Sequence, residues 1–308
     1  MKVLDHRDPS PRQINAMTVD VEDYFQVSAF EGHIRREDWD RLPQRVEHNT
    51  ERILFLFDSY RIRATFFVLG WVAERYPQVV RNIVNAGHEL ASHGYAHVRV
   101  TQQQRHEFRE DIRYTKRLLE DISGGGVRGY RAASYSIGSG NLWALDELRE
   151  AGYEYSSSIY PIRHDLYGMP EAPRFAFRPR GDDGLLEVPV TTVQVFQYRL
   201  PAGGGGYFRL WPYALSRWAI RRVNEHEGQP CIFYFHPWEI DPGQPRQPGI
   251  GLKTRFRHYL NLARTEVRLR ALLRDFRWDR MDRVFLDGPR TRADTGTQIR
   301  VDELSFSG

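Results

Sequence analysis

Two histidines, His93 and His97, stand four residues apart around Gly94, a spacing that lets two imidazoles converge on one borderline-soft metal ion. The pair alone is a weak signal, because metal chemistry needs a carboxylate and an open position beside it. Three carboxylates occur together upstream: Asp20, Glu22 and Asp23, at the end of the strand-like run Ile14–Val21. Further on, Arg131 follows a short strand-like segment, and His236 directly follows the apolar run Cys231–Phe235. Two imidazoles and a carboxylate would hold an ion while leaving room for water. A second carboxylate would take the water's proton, a histidine opposite would donate one to a departing amine, and an arginine would keep the base carboxylate ionised. That set suits hydrolysis of an amide. Each member also has a plain structural reading: acidic residues favour helix first turns, and a histidine beside a buried strand can be a satisfied core residue.

Such side chains meet only if the elements before them are parallel strands sharing one C-terminal rim, and the patterning implies this. After the polar arm 1–13, strand-like and helix-like segments alternate. A helix over 46–60 leads to a buried strand over 64–70, a helix over 71–86 and a strand over 88–92. A helix over 101–121 then ends at Gly124–Gly126, and a strand runs into Arg131. A helix over 141–151, a strand over 153–159, an irregular loop over 161–184 and a strand over 185–190 follow. The run Gly203–Gly206 lacks the Lys-Ser/Thr of a phosphate loop and reads as a flexible loop. A helix over 211–227 precedes the strand that ends at His236. Residues 252–278 read as one basic amphipathic helix with Phe256, Leu260, Ala263, Val267 and Leu273 on its packed stripe.

The chain has 308 residues, 41% hydrophobic, enough for a substantial α/β core. Its 44 basic and 40 acidic residues are nearly balanced and form no dense basic run, so nucleic acid is not an expected partner. A single cysteine, Cys231, excludes an intrachain disulfide and a cysteine-rich zinc site. The N-terminus lacks the apolar core of a signal peptide, and no stretch reaches 18 apolar residues. Cytoplasmic localisation without membrane insertion is the expectation, while the oligomeric state is not legible.

The ordered motifs resemble the polysaccharide deacetylase family, the NodB-homology or carbohydrate esterase family 4 enzymes. Thr18–Asp23 is similar to the family's first motif, Ser92–His97 to its His-Ser/Thr-x-x-His motif in position and histidine spacing, Arg131–Tyr135 to its arginine motif, and Phe233–His236 to its last. The strings Asp-Val-Glu-Asp-Tyr-Phe and His-Pro-Trp-Glu-Ile-Asp, with Gly249–Leu252, resemble a subgroup associated with exosortase and exopolysaccharide loci. The resemblance implies a distorted (β/α)7 barrel over 14–240 with a C-terminal helical extension over 241–286 and a polar tail over 287–308. It implies a metal-dependent N-deacetylase that acts on N-acetylated polysaccharide or oligosaccharide and holds a divalent cation, zinc being the expected ion. Carried over residue by residue, Asp20 is the base, Arg131 its partner, His236 the acid, and His93 and His97 metal ligands. Glu22 and Asp23 both stand for the metal carboxylate. Glu22 is preferred because residues i and i+2 of an extended tip face the same way, whereas Asp23 is the shorter and more usual residue type. The sequence departs from the family at Ala132, Ala133 and Ser134. It also departs at 155–160, where no aspartate stands to orient the acid histidine; Glu239 and Asp241 are the available substitutes. Three other readings are a metal-independent cyclic-amide hydrolase, a glycan-binding module without turnover, and a glycoside hydrolase using Asp20 and Glu187.

Overall fold

The structure, a computed structural model, describes residues 13–164, 167–181 and 184–287. Residues 1–12 of the expected arm and 288–308 of the expected tail lie outside them. The alternation becomes β1 (Ile14–Val21), α1 (Val46–Ser59), β2 (Thr65–Val68), α2 (Gly70–Arg75), α3 (Pro77–Asn85), β3 (Glu89–Ser92) and α4 (Arg105–Ser123). It continues with β4 (Gly129–Tyr130), α5 (Trp143–Glu150), β5 (Tyr155–Ser156), β6 (Leu186–Glu187), β7 (Thr192–Val195), β8 (Tyr198–Pro201), α6 (Gly205–Leu210) and α7 (Tyr213–His226). Then come β9 (Ile232–Phe235), α8 (Leu252–Tyr259), α9 (Leu262–Asp275) and β10 (Arg277–Asp279).

The main sheet is parallel, in the order β9-β1-β2-β3-β4-β5-β6, with β10 also beside β1. β1 is its hub: Thr18–Val21 pair with β2, Ala16–Val19 with β9 and Ile14–Ala16 with β10. Seven of its eight residues are therefore buried. The largely apolar sequences of β2 and β9, Thr-Phe-Phe-Val and Ile-Phe-Tyr-Phe, suit strands covered on both faces. The sheet curls into the expected distorted barrel, open between β6 and β9. In that gap the chain around the β7–β8 hairpin bridges across: Ala202 N donates to Thr191 O, and Tyr234 N donates to Gly203 O. Every strand of the main sheet points the same way, so Asp20, Glu22, His93, Arg131 and His236 come to one rim.

Several expected elements are corrected. The single helix over 71–86 is two, because Pro77 at the start of α3 forces Tyr76 out of the helical region, at φ −126° and ψ 60°. The glycine run is not a flexible loop. A Cβ on Gly204 would lie 2.0 Å from Tyr234 O, and one on Gly205 2.4 Å from the Tyr234 hydroxyl, so these glycines permit a close approach to β9. The long helix over 252–278 breaks at Asn261, which sits at φ +55°. The helical register restarts there, so the packed residues become Leu262, Thr265, Leu269, Leu272 and Leu273, while Phe256 and Val267 of the expected stripe are 58% and 69% exposed. The extension also supplies a strand, β10, that the periodicity did not signal. Among the described residues no helix is long and apolar enough to cross a membrane.

Candidate active site

Glu22, His93 and His97 come together at the rim: one ligand atom from each lies within 4.8 Å of the others, and all three residues are buried. His93 follows β3, and its backbone N–H donates to Val68 O, extending the ladder with β2 by one bond. Its Nδ1 lies 2.8 Å from Arg131 O. A carbonyl can only accept, so Nδ1 carries the proton and the Nε2 lone pair is left for the cluster. His97 is reached through two left-handed residues, Gly94 at φ +71° and His97 itself at φ +51°. That loop is fixed from three sides. The amides of Gly70 and Trp71 at the start of α2 donate to Gly94 O and Tyr95 O, Tyr95 N donates to Asp111, and Arg36 donates to Ala96 O and His97 O.

Glu22 Oε1 accepts from Trp238 Nε1 at 3.2 Å. Its other oxygen, Oε2, lies 3.0 Å from His97 Nε2 but makes no hydrogen bond, and His97 Nδ1 is buried without a partner among the described residues. Burial raises the Glu22 carboxyl to about 7, against the opposing pull of His236 and Trp238. Burial likewise lowers His93, and it takes His97 far below its usual range, helped by the neighbouring histidines. Uncharged imidazoles beside a buried carboxylate oxygen without a hydrogen bond form a donor set that fits a divalent cation.

Asp23 is not part of this cluster. Its Oδ1 accepts from Tyr24 N and its Oδ2 from Arg45 N and Val46 N, so it closes the entry to α1. Of the two carboxylates, Glu22 is the one that lies with His93 and His97.

Asp20, two residues before Glu22, gives Oδ1 to Arg131 Nη1 at 2.6 Å. Arg131 is completely buried and also donates to Thr18 Oγ1, Ser157 O and Ser157 Oγ, with its guanidinium 4.0 Å from the centre of the Phe67 ring. Asp20 Oδ2 faces the site, 4.0 Å from His236 Nε2 and 3.5 Å from the Tyr135 hydroxyl. Tyr135 closes the arginine motif, but the sequence gives no sign that its hydroxyl reaches Asp20. Two consecutive left-handed residues, Ser134 and Tyr135, aim it inward, and nothing in their residue types announces that conformation.

His236 Nε2 lies 3.6 Å from Glu22 Oε1, and its Nδ1 lies 3.0 Å from Glu239 Oε2. Of the two substitutes considered for the missing aspartate, Glu239 holds the ring. Asp241 is engaged by Arg45 and Asn49. Arg209, absent from the sequence-based set, donates to Glu239 Oε1 at 2.6 Å. Burial works against charge on both groups. Even so, Glu22 and Glu239 lift His236 to about 9, and Arg209 with His236 brings Glu239 down to about 2. Glu187 accepts from Ser158 N and Ile159 N, which makes it a scaffold for the turn after β5.

Residues 38–156 match the polysaccharide deacetylase family, and residues 157–286 match a domain of unknown function, DUF3473. The chain thus carries a polysaccharide deacetylase domain followed by the DUF3473 domain. His93, His97 and Arg131 fall in the first match and His236 in the second. The boundary lies between the paired strands β5 and β6, so one sheet is built from both. A peptidoglycan-N-acetylglucosamine deacetylase of Bacillus cereus is 35% identical over 75 residues, which is 24% of this chain and 27% of that protein. A peptidoglycan deacetylase of Helicobacter pylori is 29% identical over 108 residues, 35% of this chain and 36% of that protein. The chain thus aligns with only about a third or less of the length of these relatives. A solved structure from Mycobacterium smegmatis, assigned to the polysaccharide deacetylases, is 20% identical, covers 92% of this chain and 96% of its own, and superposes with a TM-score of 0.53, which shows the shared fold.

Proposed function

We propose that the protein is a metal-dependent N-deacetylase that hydrolyses the acetamide of N-acetylated amino sugars in a polysaccharide and releases acetate. The observation that carries this reading is the convergence of Glu22, His93 and His97 beside Asp20 and His236. Glu22, His93 and His97 would hold the cation, zinc by ligand chemistry. When bound, it would polarise the acetamide carbonyl and favour ionisation of water. Asp20 Oδ2, which faces the site while Arg131 holds Oδ1 and which accepts only a long hydrogen bond from the Tyr135 hydroxyl, accepts a proton from the attacking water. His236 Nε2, on the other side, gives a proton to the sugar nitrogen as the C–N bond breaks, and its Nδ1–H stays on Glu239.

The relatives' names supply the substrate class: deacetylases of peptidoglycan, and a chitooligosaccharide deacetylase of Bradyrhizobium. The subgroup motifs of the sequence favour a bacterial exopolysaccharide or its precursor as the polymer. The clustering of Glu22, His93 and His97 argues against the metal-independent cyclic-amide reading.

The test is acetate release from N-acetylated oligosaccharides by purified protein with zinc. Chelation and His97→Ala should each reduce the rate at least about 100-fold, as loss of a metal-activated water would. Turnover that survives both removes the metal from the mechanism.

A further inference from the structure

The extension after the barrel, residues 241–286, leaves no residue in the reaction described above, yet it is joined to the acid histidine by an unbroken line of contacts. Arg209 is 3% exposed and too enclosed to meet a polymer. Its Nε donates to Glu239 Oε1, and Glu239 Oε2 accepts from both the His236 backbone N–H and Nδ1, each at 3.0 Å. On its other side, Arg209 Nη1 donates to His258 O at 2.6 Å and Leu260 O at 3.1 Å. These carbonyls lie at the C-terminal end of α8, where helix geometry leaves oxygens unpaired and the dipole favours a cation. The break at Asn261 keeps α9 from continuing α8 and leaves those oxygens for Arg209. Asn261 Nδ2 and Arg268 Nη1 then return bonds to Arg209 O, both at 2.8 Å.

A second support runs alongside through stacked rings. His236 lies on Trp238 with planes 17° apart, and Trp238 lies on His258 with planes 13° apart. His258 is itself fixed by Gln244 Oε1 at 2.7 Å. Both routes begin in the extension and end on the His236 ring.

We infer that the 241–286 segment is a clamp that positions the acid histidine, with Arg209 as the positioning residue through which it acts. The inference rests on the reading of His236 as the acid. It gives this part of the domain of unknown function a role in the reaction: to fix the Nδ1–H tautomer and the ring plane, so that Nε2 faces the leaving nitrogen.

The test uses full-length, zinc-loaded protein and compares wild type with Arg209→Ala and with the extension variant Asn261→Ala/Arg268→Gln. For Arg209→Ala the expected result is a kcat lowered about 100-fold, the weight of a positioned general acid, with KM and zinc content unchanged. Added guanidinium should restore at least about tenfold of that loss, a rescue that a merely weakened fold would not show. The extension variant should lose about tenfold in kcat, as removal of an outer supporting contact does. Independently of turnover, the downfield proton resonance of His236 Nδ1–H should vanish or shift in both variants. If wild type releases no acetate, the functional reading fails and the resonance still decides the clamp. If Arg209→Ala does not fold, the extension variant, built on half-buried residues, carries both readouts. A folded variant with unchanged kcat and an unmoved resonance overturns the inference.

Discussion

Replacing Arg131 by methionine tests the electrostatic logic of the site most directly. The change removes a donor 2.6 Å from Asp20 Oδ1 and leaves a carboxylate that is 2% exposed without its counter-charge. Breaking one side of a buried ion pair costs about 3–5 kcal/mol, and here Thr18 and Ser157 lose their donor as well. Asp20→Asn alone costs less, about 1–3 kcal/mol, because an amide oxygen can still accept from the guanidinium while the charge is lost. In the double variant Arg131→Met/Asp20→Asn no lone charge remains buried, so its loss should fall short of the sum of the single losses by about 2–3 kcal/mol. The assay is equilibrium urea unfolding of the four proteins at pH 7 with chelator present, so that metal binding does not add to the folded state. Single losses that add to within about 0.5 kcal/mol would refute the coupling and, with it, the assignment of Arg131 as the partner that holds Asp20 in place.

Other outcomes follow from the same geometry. Glu22→Ala should abolish stoichiometric zinc binding measured by atomic emission, whereas Asp23→Ala should bind zinc normally and lose about 1–2 kcal/mol of stability with the α1 cap; the reverse pattern would exchange their roles. Burial depresses His88 from 6.5 to about 4, its Nδ1 accepting from Ala64 N. The unfolded chain therefore takes up this proton first, and the stability His88 contributes is complete above pH 6.5 and lost as pH falls through 4. His88→Asn should flatten the stability curve between pH 7 and 5 by about 2 kcal/mol relative to wild type, and an unchanged slope would show that His88 is not held neutral. Gly204→Ala, at φ +118° and against Tyr234 O, should destabilise by at least about 2 kcal/mol in urea titration, and a neutral result would mean that β9 can shift away.

What the sequence made legible were features written in local pattern. Ile14–Val21 and Val46–Ser59 read true almost to the residue, because strand burial and helical spacing leave direct marks. The motif residues His93, Arg131 and His236 could be placed because each follows a recognisable strand, and His97 because its spacing ties it to His93. The Glu22 choice came from the alternation of an extended chain, but the reason Asp23 stays out lies in two amides more than twenty residues away, at Arg45 and Val46. Arg209 was invisible for the same reason: nothing near it in sequence reveals that Glu239 will be its partner, thirty residues on. The break at Asn261 carries no proline or glycine as a marker, so the amphipathic pattern of the sequence runs through it in a register that the fold does not keep.

The position of β1 at the centre of the sheet has a consequence for how the protein is made. A ribosome releases this strand first, and its neighbour β2 soon after, but the partner that bonds Thr18 from β9 lies 215 residues downstream and β10 further still. For most of synthesis one edge of β1 is an open template, and the hub of the sheet waits on the most distant pairings in the chain. Late closure of this kind makes the nascent chain a natural client of chaperones. It also means that cutting at the 156/157 family boundary would not release two working pieces, because the first would keep Asp20 and the histidine pair without the strand that brings His236 to meet them.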